Sequence, residues 1–242
     1  MKGVILAGGL GTRLQPLTCV TNKHLLPVYD RPMIFYPINT LVKADITEVL
    51  IVTSGPHVGH FLGLLKNGKD FGLKHLEYAY QEKPDGGIAD ALSIARDFAD
   101  DEPITVILGD NTTDADIADS IKNFKSGGHI FLYEVPDPER YGVAELDPKN
   151  KNKIINIIEK PKNPPSNLAV TGLYVYDNNV FSFIDSIEPS NRGELEITDV
   201  NNMYLKKGEL TWSKLNGYWT DAGTFDTLYR ANKYWFDKNK QK

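Results

Sequence analysis

Two cations and two carboxylates in this sequence stand where chemistry could be done. Arg13 follows directly on the run Gly8-Gly9-Leu10-Gly11-Thr12, and Lys23 comes ten residues later, inside Asn22-Lys23-His24-Leu25-Leu26-Pro27. Glycines let backbone N–H groups approach phosphate oxygens, and a helix start nearby adds a favourable dipole. With two cations converging on it, such a loop could hold a polyphosphate. The same glycines would equally serve a tight turn needing positive φ, and a lysine against an apolar segment commonly snorkels to solvent. Asp110 ends an apolar run as Leu108-Gly109-Asp110-Asn111, and Asp221 lies in Trp219-Thr220-Asp221-Ala222-Gly223-Thr224, just before a helical pattern. Two carboxylates with phosphate oxygens and waters suit Mg2+, which takes few protein ligands in octahedral oxygen coordination. An Asx turn at Asp110 and a capping role at Asp221 would explain both residues without a metal.

Other chemistries find less support. The dinucleotide pattern G-x-G-x-x-G fails because Leu14 occupies the third glycine position, and G-x-x-x-x-G-K-[ST] is absent from the chain. No Ser/His/Asp or Cys/His signature suggests an enzyme nucleophile. Cys19, the only cysteine, allows no internal disulfide and reads as an ordinary small residue of a reducing compartment. His57 and His60 lack the further ligands a zinc site needs. The formal net charge of −5 argues against non-specific nucleic-acid binding, so an anionic substrate needs a local cluster of cations. No apolar run reaches a membrane span and the N-terminus is too short for a signal peptide, which makes a cytoplasmic protein the expectation.

The elements that would carry these residues follow from hydrophobic patterning. Val4–Ala7, Val49–Thr53, Thr105–Leu108 and Ile130–Tyr133 read as strands buried on both faces. Amphipathic stretches at Pro32–Lys43, Ile88–Phe98 and Ile117–Phe124 alternate with them, Pro32 suiting a first helical turn. This rhythm implies an α/β fold: three α/β/α layers, Rossmann-like, around a mixed, mostly parallel central sheet. Ligands of such sheets sit beyond the carboxyl ends of the strands, where the glycine run and Asp110 fall. In the second half, Val143–Leu146, Ile154–Ile158 and Val170–Tyr176 look like antiparallel additions. Helices are expected at Asn178–Ser186, Ile197–Lys206 and Thr224–Phe236, with the polar end, Asp237 to Lys242, frayed. No repeat or long linker divides the chain, so residues 1–242 are expected to form a single domain. Tyr174, Tyr176, Phe181 and Phe183 read as core.

The glycine run with Arg13 and Lys23-His24-Leu25-Leu26-Pro27 resembles the signature of the sugar-phosphate nucleotidyltransferases, most closely those that use dTTP and glucose 1-phosphate. The resemblance continues in order through Gln81-Glu82-Lys83-Pro84-Asp85-Gly86-Gly87-Ile88-Ala89, Leu108-Gly109-Asp110-Asn111 and Asp137-Pro138-Glu139-Arg140-Tyr141-Gly142-Val143. It then takes in Glu159-Lys160-Pro161, Ala169-Val170-Thr171-Gly172-Leu173-Tyr174, Arg192-Gly193-Glu194-Leu195-Glu196-Ile197-Thr198-Asp199 and the segment around Asp221, so that nearly the whole chain is covered.

It implies a nucleotidyl transfer to glucose 1-phosphate, with Mg2+ as cofactor and direct attack of the sugar phosphate on the α-phosphorus. Arg13 and Lys23 would grip the triphosphate, Asp110 and Asp221 would hold the metal, and Lys160 would hold the attacking phosphate. Leu6, Gly8, Gly9, Gly11, Thr12 and Pro84 would complete the nucleotide site, with Gln81 and Gly86 reading the pyrimidine edge. An amide has the donors and acceptors such an edge requires. Asn111, Tyr141, Gly142, Glu159, Val170 and Trp219 would form the sugar-phosphate site with Lys160. The product would feed deoxysugar synthesis, such as rhamnose for surface polysaccharide, and a homo-oligomer (dimer or tetramer) is the family habit. UTP in place of dTTP, another sugar 1-phosphate, or a catalytically silent subunit of the same fold stay open as alternatives. Two features depart from the family pattern. Thr112-Thr113-Asp114 follow Asp110-Asn111 where apolar and aromatic residues are usual, which puts the local packing in question. The chain also stops near Lys242, short of members whose C-terminal helices help form a second nucleotide site. That effector site is therefore expected to be absent or altered, and tight binding of a dTDP-sugar away from the active site would refute this.

Overall fold

A computed structural model describes residues 1–240. Strand β1 (Lys2–Ala7) leads into a loop of three 3-10 turns, followed by the short hairpin β2 (Pro27–Val28) and β3 (Arg31–Pro32), helix α1 (Phe35–Lys43) and strand β4 (Glu48–Thr53). Next come α2 (Val58–Leu65), β5 (His75–Tyr80), α3 (Ile88–Ser93), α4 (Arg96–Ala99), β6 (Ile104–Leu108) and β7 (Asn111–Thr113). The second half contains α5 (Ala118–Asn123), β8 (Gly128–Glu134), β9 (Gly142–Leu146), β10 (Ile154–Glu159), β11 (Leu168–Tyr176), α6 (Asn179–Ile184), α7 (Ile197–Lys207), β12 (Leu210–Lys214), β13 (Trp219–Asp221) and α8 (Phe225–Lys240).

Among the described residues nine strands form one mixed sheet, ordered β12-β8-β11-β6-β1-β4-β5, with the β9–β10 hairpin attached beside the start of β11. β1 lies in parallel register between β4 and β6, Ile5 facing Ile51 on one side and Ile107 on the other. Only β10 and β11 run against the other seven strands. Successive side chains of a strand point to opposite faces, and the core divides accordingly. Val4 and Leu6 join Leu50, Val52 and the buried sides of α3, α6 and α7, whereas Ile5 and Ala7 join Ile51, α1 and α2. This gives the three layers. A third cluster ties Leu14 and Leu26 of the loop after β1 to Ala222 and Ala231 beside and within α8. Among the described residues no helix is long and apolar enough to cross a membrane.

Several boundaries move. Pro32 belongs to β3, not to α1. The proline near the start of that helix is Pro37 at its third position, where a missing N–H costs no intrahelical bond. The single helix expected over Ile88–Phe98 is two, divided at Ile94-Ala95, and Ala95 sits at φ −80°, ψ 1°. The expected fraying from Asp237 is overturned as far as Lys240, because α8 continues to that residue and Lys238 pairs with Asp114. Gln241 and Lys242 lie outside the described residues. Thr112 and Thr113 are buried in β7, which pairs with β13, so the departure after Asn111 builds a small two-stranded ladder.

Candidate active site

The loop after β1 lies beside the carboxyl ends of β4 and β6. Gly9 and Gly11 take φ of 87° and 62°, as a tight turn requires, and Gly9 N–H donates to Ser54 Oγ just beyond β4 at 3.1 Å. Gly8 is small for another reason, since a Cβ there would stand 2.5 Å from Gln81 Oε1. Gln81 is 2% exposed, and its Nε2 donates to Asp90 Oδ2 at 2.8 Å, which leaves Oε1 beside Gly8.

Asn22 caps the turn that carries Lys23. Its Oδ1 accepts the His24 N–H at 2.9 Å and lies 2.7 Å from His24 Nδ1. An amide oxygen can only accept, so Nδ1 bears the ring proton. Burial, then the adjacent Lys23 charge, push the His24 pKa down to about 3, keeping the imidazole neutral. Lys23 Nζ reaches Asp110 Oδ2 at 2.6 Å. Burial works against the Asp110 carboxylate, but the neighbouring positive charge, Lys23 foremost, and hydrogen bonds from Lys23 and Asn111 together outweigh it and hold the group well below the usual carboxylate range.

Asp221 is held from the opposite side. Arg140 Nη2 is 3.0 Å from its Oδ2, and the Tyr141 hydroxyl donates to Oδ1 at 2.6 Å. Burial, then the Asp221 charge, raise the Tyr141 phenol above its ordinary range, so it stays a donor. The β7–β13 ladder pairs Asn111 with Asp221, and Ala222 N–H donates to the Asp110 carbonyl oxygen at 2.8 Å. Gly223 marks where these groups converge. A Cβ on it would be 3.1 Å from Asp221 Oδ2 and 3.3 Å from both Asp110 Oδ2 and Arg13 Nη2. Among the described residues no group of three or more His, Cys, Asp or Glu side chains could hold a metal ion, so a cation here would rest on two carboxylates.

Two cavities meet at this point. One, about 300 Å3, extends from Gly8, Gly9 and Gln81 to Lys23 and Asp110. The other, about 140 Å3, extends from Asp110 toward Glu159 and Tyr141. Arg13, Ile88, Leu108, Asp110 and Lys160 line both. Lys160 occupies a left-handed backbone position, φ 43°, with its N–H donating to the Tyr141 carbonyl oxygen at 2.9 Å.

Of the residues expected around a nucleotide, Leu6, Gly8, Gly9, Arg13, Lys23, Gln81, Pro84 and Asp110 line the larger cavity. Gly11, Thr12 and Gly86 are not among its walls. A Cβ on Gly11 would meet Thr18 and Lys23, Thr12 begins a 3-10 turn, and Gly86 lies over the Asp90 carboxylate while Gly87 takes the wall position. Asn111, Tyr141, Gly142, Glu159, Lys160, Val170 and Trp219 all line the smaller cavity, as does Tyr174, expected only as core. Sequence reasoning missed Arg140 and Thr198. Both stood inside segments singled out above, and a cation one residue from Tyr141 in an acidic site was the available signal for Arg140. Thr198 donates its hydroxyl to Glu159 Oε2 at 2.5 Å.

The chain can be set beside known proteins. The sequence profile of the nucleotidyl transferase family matches residues 2–238. A glucose-1-phosphate thymidylyltransferase of Xanthomonas campestris is 45% identical over 96% of this chain and 80% of its own length. One of Mycolicibacterium smegmatis is 44% identical over 97% of this chain and 82% of its own. Among solved structures, a Bacillus anthracis protein assigned as a glucose-1-phosphate thymidylyltransferase, in complex with sucrose, is 50% identical with a TM-score of 0.90, over 97% of this chain and 94% of that one. A UDP-glucose pyrophosphorylase complexed with UDP-glucose shares the fold at 23% identity, with a TM-score of 0.83 over 98% of each chain. With its profile matched almost end to end and such relatives alongside it, this chain belongs to the nucleotidyl transferase family.

Proposed function

We propose that the protein transfers a thymidylyl group from dTTP to α-D-glucose 1-phosphate, forming dTDP-glucose and pyrophosphate. The observation that carries this reading is the meeting of two cavities at Asp110, Arg13 and Lys160. Each substrate takes one cavity, and the bond between them forms where the cavities join. The relatives that bear this activity in their names support the choice of substrates.

In the larger cavity, backbone N–H groups of the glycine loop, with Arg13 and Lys23, bind the triphosphate. Gln81 Oε1 accepts the pyrimidine N3–H, because Asp90 already engages the amide nitrogen. In the smaller cavity, Glu159 accepts sugar hydroxyls, Tyr141, Gly142, Val170 and Trp219 shape the wall, and Lys160 draws the sugar phosphate to the junction. An oxygen of that phosphate attacks the α-phosphorus, and the bond to the β-phosphate breaks as pyrophosphate leaves toward Arg13. Such transfers depend on position and charge neutralisation more than on covalent chemistry by the protein. Asp110 and Asp221 would hold Mg2+. Two carboxylates facing one point beside an open cavity fit an ion that keeps most of its coordination for phosphate and water. Bound there, it would supply charge neutralisation at the reacting phosphates. Without it, Lys23 and Arg140 compensate the two carboxylates.

Pyrophosphate release from dTTP or UTP with glucose 1-phosphate and Mg2+ tests the reading. The expected result is release with dTTP well above UTP and a fall of about 10²–10³-fold in Asp110→Asn, the scale of losing one electrostatic contact to the transition state. Faster release with UTP would reassign the nucleotide, and no release with either would overturn the activity.

A further inference from the structure

Asn111 resembles a sugar ligand by its place in the sequence, yet its amide is already committed. It is 2% exposed. Its Oδ1 accepts from Trp219 Nε1 at 2.7 Å and from Gly172 N–H at 3.0 Å, which uses both lone pairs. Its Nδ2 donates to Asp110 Oδ1 at 3.0 Å, opposite the oxygen that Lys23 holds. Gly172 closes over the amide, since a Cβ there would lie 2.6 Å from Oδ1 and 2.7 Å from Nδ2, so the group has no room to turn. Meanwhile the Asn111 backbone is the ladder partner of Asp221. One residue therefore holds one carboxylate with its side chain and the strand of the other with its main chain, and its third contact is the indole that walls the sugar cavity.

We infer that Asn111 is a positioning residue: it sets Asp110 against Asp221 for a divalent cation and ties that pair to the Trp219 wall of the sugar cavity. The inference deepens the reading of the site as a sugar-phosphate nucleotidyltransferase and rests on it. Its consequence is coupling, because whatever presses on Trp219 is transmitted to Asp110 through a locked amide. Sugar phosphate and cation should then strengthen each other's binding by the same factor.

Mn2+ binding to the intact protein, read from the electron paramagnetic resonance of the free ion with and without glucose 1-phosphate, tests this without turnover. Wild type should bind Mn2+ more tightly when glucose 1-phosphate is present. Asn111→Ala should weaken Mn2+ about 10–100-fold, the usual cost of losing a group that orients a metal ligand. Asn111→Ser covers the case in which the alanine variant fails to fold. Trp219→Phe keeps an aromatic wall without the N–H, and should abolish the effect of the sugar phosphate on Mn2+ while weakening Mn2+ itself less than Asn111→Ala does. In steady-state assays the Mg2+ activation constant should move more than the KM for glucose 1-phosphate. A raised sugar-phosphate KM with unchanged Mn2+ binding would overturn the inference and make Asn111 a sugar ligand, and absence of Mn2+ binding by wild type would overturn it as well. A protein that binds Mn2+ as expected but releases no pyrophosphate from dTTP would instead strike the proposed activity.

Discussion

The two cavities differ in what builds their walls. Around the larger one, Gly8, Gly9, Arg13, Lys23 and His24 come from one stretch of chain, shaped by positive-φ glycines, short 3-10 turns and the Asn22 cap. Around the smaller one the side chains come from far apart. Thr198 on α7 holds Glu159 at the end of β10, and Tyr141 and Arg140 hold Asp221 across some eighty residues of sequence. The first is a backbone surface laid on parallel strands; the second is a side-chain network hung on the antiparallel strands β9, β10 and β11. A backbone site is damaged by added atoms, whereas a network site is damaged by removing a partner.

That contrast can be broken by three substitutions. Gly8→Ala should act most strongly, because its Cβ would enter within 2.5 Å of Gln81 Oε1, and Gln81 is buried and tied to Asp90. Overpacking of this kind costs about 1–3 kcal/mol, so the KM for the nucleotide should rise about tenfold or more while that for the sugar phosphate stays within about twofold. An equal rise in both would show that the two cavities do not separate. Thr198→Val should do the reverse with a smaller effect. It deletes a hydrogen bond to a carboxylate, worth about 1.5 kcal/mol, so the sugar-phosphate KM should rise about tenfold and leave the nucleotide KM alone. A nucleotide effect from this variant would contradict the division.

The smallest effect sharpens the comparison at its outer boundary, where Asp114 clamps Tyr234 and Lys238 of α8 and accepts the Tyr218 N–H at 2.7 Å. Burial opposes the Asp114 charge, but Lys238 and Tyr234 prevail and hold its carboxyl below the ordinary value of 3.8. A depressed carboxylate contributes stability that is present above its unfolded pKa and lost as pH falls through the folded one. Wild type should therefore lose this contribution only below about pH 4, whereas Asp114→Asn should lack it at neutral pH, loosening the end of α8 around Trp235. Thermal melts at pH 7 and pH 4, with tryptophan emission, would read the difference. An unchanged melting temperature at pH 7 would remove Asp114 from the support of the fold.

How legible each part was follows from the same contrast. β1, β4 and β6 are near-continuous apolar runs because they are buried on both faces, and the glycine loop sits at their edge where an open α/β sheet places a ligand. β5 was missed because it is an edge strand: His75-Leu76-Glu77-Tyr78-Ala79-Tyr80 alternates and is only half covered. α2 was missed because Gly59 and Gly63 lower the helix propensity of Val58–Leu65, and packing of Phe61 and Leu65 overrides it. β7 and β13 could not be read from Asn111-Thr112-Thr113 at all, since their pairing exists only once residues more than a hundred apart meet. For the same reason Arg140 and Thr198 were visible as residues but not as partners of Asp221 and Glu159.

Lys160 gives a last consequence. Its φ of 43° is a conformation that costs an L-residue about 1–2 kcal/mol, and glycine or asparagine would relieve that cost. A population of sequences selected for thermal stability alone would drift away from lysine here, toward a tougher protein with an empty junction. Under the proposed role for Lys160, selection for the reaction would hold lysine in this place against that cost, and a lineage that had given up the reaction should be free to lose it.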